Sequence, residues 1–196
     1  MDKNKKAILK QKTLLPCVIA LVGAFVMLLC VFLPYATATA ERAEWIDKFP
    51  DTVVIDAMDL KAEDMRNISM AQYARIYFTM SEEYWHDSFV GIFYIVLVAL
   101  IGGGALIAAL FAWGRKPIGC IIFGALSCGV FRMLNWDFTD RGVIPSDSYD
   151  WGIAHTIFPI AAVILIIGAV WMFVKKILVK KQLKSEAATQ AAEVSN

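Results

Sequence analysis

The chain has 196 residues, of which 59% are hydrophobic, four cysteines and a formal net charge of +1. The apolar residues gather in four runs, 14–33, 89–113, 118–134 and 151–174, too long and too free of a polar stripe for a soluble domain. Cys17, Cys30, Cys120 and Cys128 all lie inside those runs, which excludes a disulfide-stapled ectodomain, and the near-zero net charge hides a strongly polarised molecule.

Residues 1–13 form a short basic tail with Lys3, Lys5, Lys6, Lys10 and Lys12. The first run, 14–33, matches the roughly twenty residues a helix needs to cross a hydrocarbon core of about 30 Å. Ala36-Thr37-Ala38-Thr39-Ala40 after it offers A-x-A sites of the signal-peptide kind. The run exceeds the about 7–15 residues of a signal h-region, and Pro16 and Leu29 before the cysteines make no convincing lipobox, so it reads as an uncleaved span.

The segment 34–88 carries eleven acids against five bases and is the large exposed region. Thr52-Val53-Val54-Ile55 is prone to strand. Ser69 with Gln72 predicts a capping box, followed by Tyr73, Ile76, Tyr77 and Met80 on one helical face. That helix is expected to lie on the bilayer surface, cap the bundle or pack on its own loop. Glu82 and His86 would share a helix face, but no third ligand stands nearby, so no metal site is expected.

The second run, 89–113, and the third, 118–134, are joined by Gly114-Arg115-Lys116-Pro117, an enforced antiparallel hairpin. Gly104, Ala108 and Ala112 would then face Cys128, Gly124 and Cys120 as two stripes of small residues in close packing. The Gly102-Gly103-Gly104 triplet also admits a hinge or broken-helix reading. The connection 135–150 is turn-rich and acidic, and leads into the last run, 151–174. Lys175, Lys176, Lys180, Lys181 and Lys184 follow, and the Ala- and Glu-rich 185–196 is expected to be disordered.

Twelve of the nineteen basic residues thus flank three segments that an even number of spans places on one side. By the positive-inside rule that side is the cytoplasm and holds both termini. Tyr35, Tyr84, Trp85, Trp136, Tyr149 and Trp151 mark the outer boundary, and Trp113 and Trp171 the inner one. Lysines beside the first and last spans would attract anionic lipid by about 1 kcal/mol each. The fold class is an all-α membrane protein, a four-transmembrane-helix bundle at 14–174 with a small extracytoplasmic loop domain between helices 1 and 2. A long first outer loop and a shorter second one are similar in topology to claudins and tetraspanins. The loop lacks the cysteines of those families, so the likeness implies topology alone.

No catalytic motif is present: there is no P-loop, G-x-S-x-G, HExxH or CxxC. Arg132 and His155, each about a turn inside the outer boundary, with Asp150 at the surface, form a candidate ligand or proton site. The other reading is an arginine that snorkels to an aspartate and a histidine satisfied at the interface. Trp45, Phe49, Tyr73 and Tyr77 are candidate partner-binding anchors, or alternatively the core of the loop. The expected function is a plasma-membrane scaffold or accessory protein with no enzymatic activity and no cofactor. Its partners would be the lipid bilayer and other membrane proteins or a second copy, with no nucleic acid. A small transporter or channel subunit using Arg132 and His155 is the alternative.

Overall fold

The computed structural model describes the backbone of residues 11–83, 86 and 88–194, with side chains as far as Leu183 and at Ser185. Lys3, Lys5, Lys6, Lys10, Tyr84, Trp85 and Asp87, and the side chain of Lys184, lie outside the described residues. Three helices are long and apolar enough to cross a membrane: α4 (Ser88–Trp113), α5 (Pro117–Asp140) and the Ile153–Leu183 part of α6 (Ile153–Val194). A shorter apolar helix, α1 (Leu14–Cys30), completes the set.

These four helices pack in a ring. α1 lies against α6 and α4, and α5 against α4 and α6. The ring turns large apolar side chains outward all round, among them Phe25, Leu110, Ile122 and Ile167. Such a surface suits lipid rather than water. The closest approach joins α1 to α6. A Cβ on Gly23 would lie 2.5 Å from the Leu165 backbone nitrogen, and one on Gly168 would lie 2.5 Å from that of Ala20. No side chain fits at either position.

The small-residue stripes are buried except at Cys128, which is half-buried, but their partners differ. Gly104 packs on Ser127, where a Cβ would stand 3.0 Å from the serine Cβ, and Ser127 Oγ donates to the Ile101 carbonyl at 2.6 Å. Gly124 faces α6 instead of α4, since its Cβ would meet Leu165 Cδ2 at 2.6 Å. Sequence spacing fixes a helical face but not which neighbour that face meets. α4 runs unbroken through Gly102-Gly103-Gly104, so the triplet is not a break in the helix.

α5 continues past Leu134 to Asp140 because its buried face continues, through Leu134, Asn135 and Phe138, while Trp136, Thr139 and Asp140 turn outward. The apolar run ends there; the helical periodicity does not. α6 likewise is helical as far as Val194. The Ala, Glu and Gln in 185–194 are strong helix formers.

At the acidic end of the ring, β1 (Pro34–Ala38) is the central strand of a three-stranded antiparallel sheet. β4 (Asn67–Ser69) flanks it on one side and β5 (Tyr149–Trp151) on the other. Ala36 pairs with both Ile68 and Trp151, so the sheet fastens the long connection to the short one. The A-x-A stretch therefore supplies Ala36–Ala38 to the sheet's middle strand, and Thr39 and Ala40 to the start of the next helix. α2 (Ala40–Lys48) follows, capped by Thr39, and β2 (Val53–Ile55) pairs with β3 (Leu60–Lys61).

α3 (Met70–Glu83) starts where expected, with the Gln72 amide donating to Ser69 Oγ at 3.1 Å. The box is only half formed, because Gln72 Nε2 donates to the Asp64 carbonyl instead. α3 packs on α4, so closely that a Cβ on Gly91 would stand 2.6 Å from Phe78 Cα. It ends at Glu83, so Glu82 and His86 do not share a helical face.

At the opposite end, Lys12 Nζ donates to Gln182 Oε1 at 3.3 Å, and Lys176 Nζ donates to the Arg115 carbonyl. The described parts of all three basic flanks are thereby gathered at one end of the ring.

Candidate functional site

The acidic-end cap is seated on the helices through Tyr35. This side chain is fully buried, and its hydroxyl donates to Asn135 Oδ1 at 2.6 Å. Its ring meets Tyr73, Phe138, Phe131 and Trp151 edge-on, with centroids 5.4–6.3 Å away. One side chain of β1 thus contacts α3, α5 and β5 together. Burial pushes the Tyr35 and Tyr73 phenols well above the usual tyrosine range.

A second cluster lies beside it. Tyr77 stacks on Tyr94 with centroids 4.2 Å apart. Tyr94 Oη donates to Asp137 Oδ2 at 2.5 Å, and Arg141 donates to the same carboxylate oxygen at 2.8 Å, to Tyr77 Oη at 3.3 Å and to Tyr94 Oη. The guanidinium also lies 5.3–5.6 Å from the Tyr77, Tyr94 and Phe138 ring centres. Every charge here has a partner, which makes the cluster a fastening and not an open reactive site.

The four aromatic anchors expected from sequence therefore divide. Tyr73 and Tyr77 belong to the seat of the cap. Trp45 and Phe49 stay at the surface, 5.9 Å apart, with Phe49 52% exposed. The Arg42 guanidinium covers the Trp45 ring at 4.3 Å. Beside them Glu41, Arg42, Trp45, Asp147 and Ser148 line a cleft of about 250 Å³. Arg42 Nε is buried and has no hydrogen-bond partner among the described residues. Thr39 fixes α2 to the short connection, through its Oγ1 to the Asp147 carbonyl at 2.9 Å and its amide to the Ser148 carbonyl at 3.0 Å.

Of the other candidate group, two members come together. His155 stacks on Trp151 at 4.2 Å, and Arg132 is its charged neighbour. Asp150 is exposed on β5 opposite Thr37, and among the described residues no carboxylate forms an ion pair with Arg132. No group of three metal-ligating side chains occurs among the described residues.

Sequence reading took Tyr35 only as a boundary marker and gave no site role to Asn135 or Arg42. For Asn135 a signal existed: Phe131, Leu134, Asn135 and Phe138 recur at helical spacing, which places the amide on a buried face. Its Oδ1 is satisfied by Tyr35, while its Nδ2 has no partner among the described residues. Comparison with protein-family models, with curated proteins and with solved structures returned no match.

Proposed function

We propose that the chain is a four-span plasma-membrane protein, both ends cytoplasmic, that acts as a scaffold or accessory protein through its extracytoplasmic cap. On this reading it has no catalytic activity of its own. The gathering of the basic flanks at one end and the acidic cap at the other supports the orientation. α1 needs Val31, Phe32 and Leu33 to complete its depth, and Phe32 is 68% exposed as a lipid-facing residue would be. The backbone-close packing of Gly23 and Gly168 supports α1 as a retained span.

The observation that carries the function is the Arg42–Trp45–Phe49 surface. It presents an apolar, cation-bearing patch on a helix held by the sheet and the short connection, the arrangement of an interface anchor. The partners would be other membrane proteins or a second copy. A transporter using Arg132 and His155 has less support, since His155 is stacked on Trp151 and Asp150 does not join them.

The test compares two variants by copurification in mild detergent. Trp45→Ala/Phe49→Ala should lose partner recovery while expression and helix content persist, and Arg132→Gln/His155→Ala should recover partners as the parent does. The opposite pattern would replace the scaffold reading with a ligand or proton site.

A further inference from the structure

α1, α3 and α4 leave an open-sided apolar crevice of about 470 Å³ where the last turn of α1 meets the start of α3 and the middle of α4. The Ala71 amide donates to the Val31 carbonyl at 3.2 Å and ties those two ends together. The crevice owes its depth to small residues: Ala71, Ala74, Ala99, Gly102 and Gly103. Gly104 is glycine because Ser127 lies against it, but a Cβ on Gly103 would meet nothing within 4 Å. Packing therefore does not require glycine at 103. Its effect is to leave space.

Ala71 and Arg75 also line a second, polar hollow of about 540 Å³, together with Asp59, Asp64 and Gln72, so crevice and hollow adjoin at these two residues. Each is within the usual 300–1,000 Å³ of a small-molecule site. Arg75 is exposed, and among the described residues no carboxylate pairs with it. Gln72 is occupied by the Asp64 carbonyl, and Asp64 Oδ2 accepts the Lys61 amide at 3.1 Å, which leaves Asp59, Asp64 and Arg75 as the charges facing the hollow.

We propose that the crevice and the adjoining hollow together bind a membrane phospholipid with an amine-bearing, zwitterionic headgroup. An acyl chain lies along Gly102 and Gly103, the phosphate meets Arg75, and the ammonium faces Asp59 and Asp64. Arginine matches a phosphate through paired donors. The two carboxylates repel a purely anionic head and attract an ammonium, so the mixed charges select for a head that carries both signs. The exposed Phe32 and Ile95 at the crevice place its open side among lipid tails. The inference rests on the membrane placement proposed above.

The test uses the full chain in detergent with added phosphatidylethanolamine, read by native mass spectrometry. Gly103→Leu fills the crevice without a steric conflict for its Cβ, and Gly129→Leu, equally open, serves as control. Parent and Gly129→Leu should retain the lipid, while Gly103→Leu and Arg75→Gln should each weaken retention by about tenfold. Dioleoylglycerol, which lacks the head, and phosphatidylglycerol, which lacks the amine, should bind less well than phosphatidylethanolamine. Retention unchanged by Gly103→Leu, or equal retention of the three lipids, would overturn the proposal. Carbonate extraction of the same membranes separates the two readings. A chain that stays integral but shows no selectivity defeats this inference alone, and a chain released from the membrane defeats both.

Discussion

Tyr35, a boundary marker in the sequence, joins three elements in the structure, α3, α5 and β5. Tyr35→Phe would remove the hydroxyl and leave Asn135 with neither side-chain group bonded among the described residues, a loss of about 1–3 kcal/mol. Thermal unfolding in detergent should show a lower midpoint for Tyr35→Phe, and a further Asn135→Leu change should recover part of the loss. The buried phenols also set an alkaline limit. Tyr35 and Tyr73 hold their protons in the fold above the ordinary value of 10.0, so the unfolded chain releases protons that the folded chain keeps. That stabilisation is complete below about pH 10 and falls as pH rises beyond it. Tyr73→Phe removes one such ionisation and should raise the alkaline unfolding midpoint; an unchanged midpoint would contradict the burial argument. At Gly23, alanine would place a Cβ 2.5 Å from backbone that cannot step aside. Gly23→Ala should therefore destabilise by about 1–3 kcal/mol, as overpacking does, while Gly129→Ala should be neutral or better. Equal midpoints for the two would remove the α1–α6 contact from the account.

Among the elements, the instructive case is Gly124. Its place in a small-residue stripe was legible from the period of four, yet the stripe's partner was not, because a helix in a ring of four has two neighbours. The structure gives it to Leu165 of α6. Gly124→Leu should thus loosen the α5–α6 crossing, and Leu165→Ala should rescue it in part. Failure of Leu165→Ala to couple with Gly124→Leu in a double-mutant cycle would contradict that packing. The apolar runs made α4 and the start of α6 readable almost to the residue, since membrane-length hydrophobicity is a strong local signal. The end of α5 was hidden because its last turns break the apolar run, with Trp136 and Asp140 exposed and Asp137 half-buried against Tyr94 and Arg141. The sheet was hidden for a different reason. β1, β4 and β5 have five residues or fewer, and their pairing joins segments far apart in sequence, so no local pattern announces them. Among the site residues, the sequence left Trp45, Phe49, Tyr73 and Tyr77 open between surface anchors and loop core; the division between an exposed Phe49 and a Tyr73 and Tyr77 drawn into the seat of Tyr35 depended on that same long-range pairing.

For the whole molecule, the separation of charge and the ring of packed helices agree. Short apolar α1 sits among three longer helices, the basic flanks meet at one end, and the cap closes the other. The central claim is that this polarity is a transmembrane orientation with both ends inside. Single cysteines at Lys61, Asp147, Lys116 and Lys181, in a background with Cys17, Cys30, Cys120 and Cys128 replaced by alanine, test it most directly. A membrane-impermeant thiol reagent applied to intact cells should label the cysteines at 61 and 147, and should label those at 116 and 181 only after the membrane is opened. Labelling at 116 or 181 in intact cells, or protection at 61 and 147, would contradict the four-span orientation.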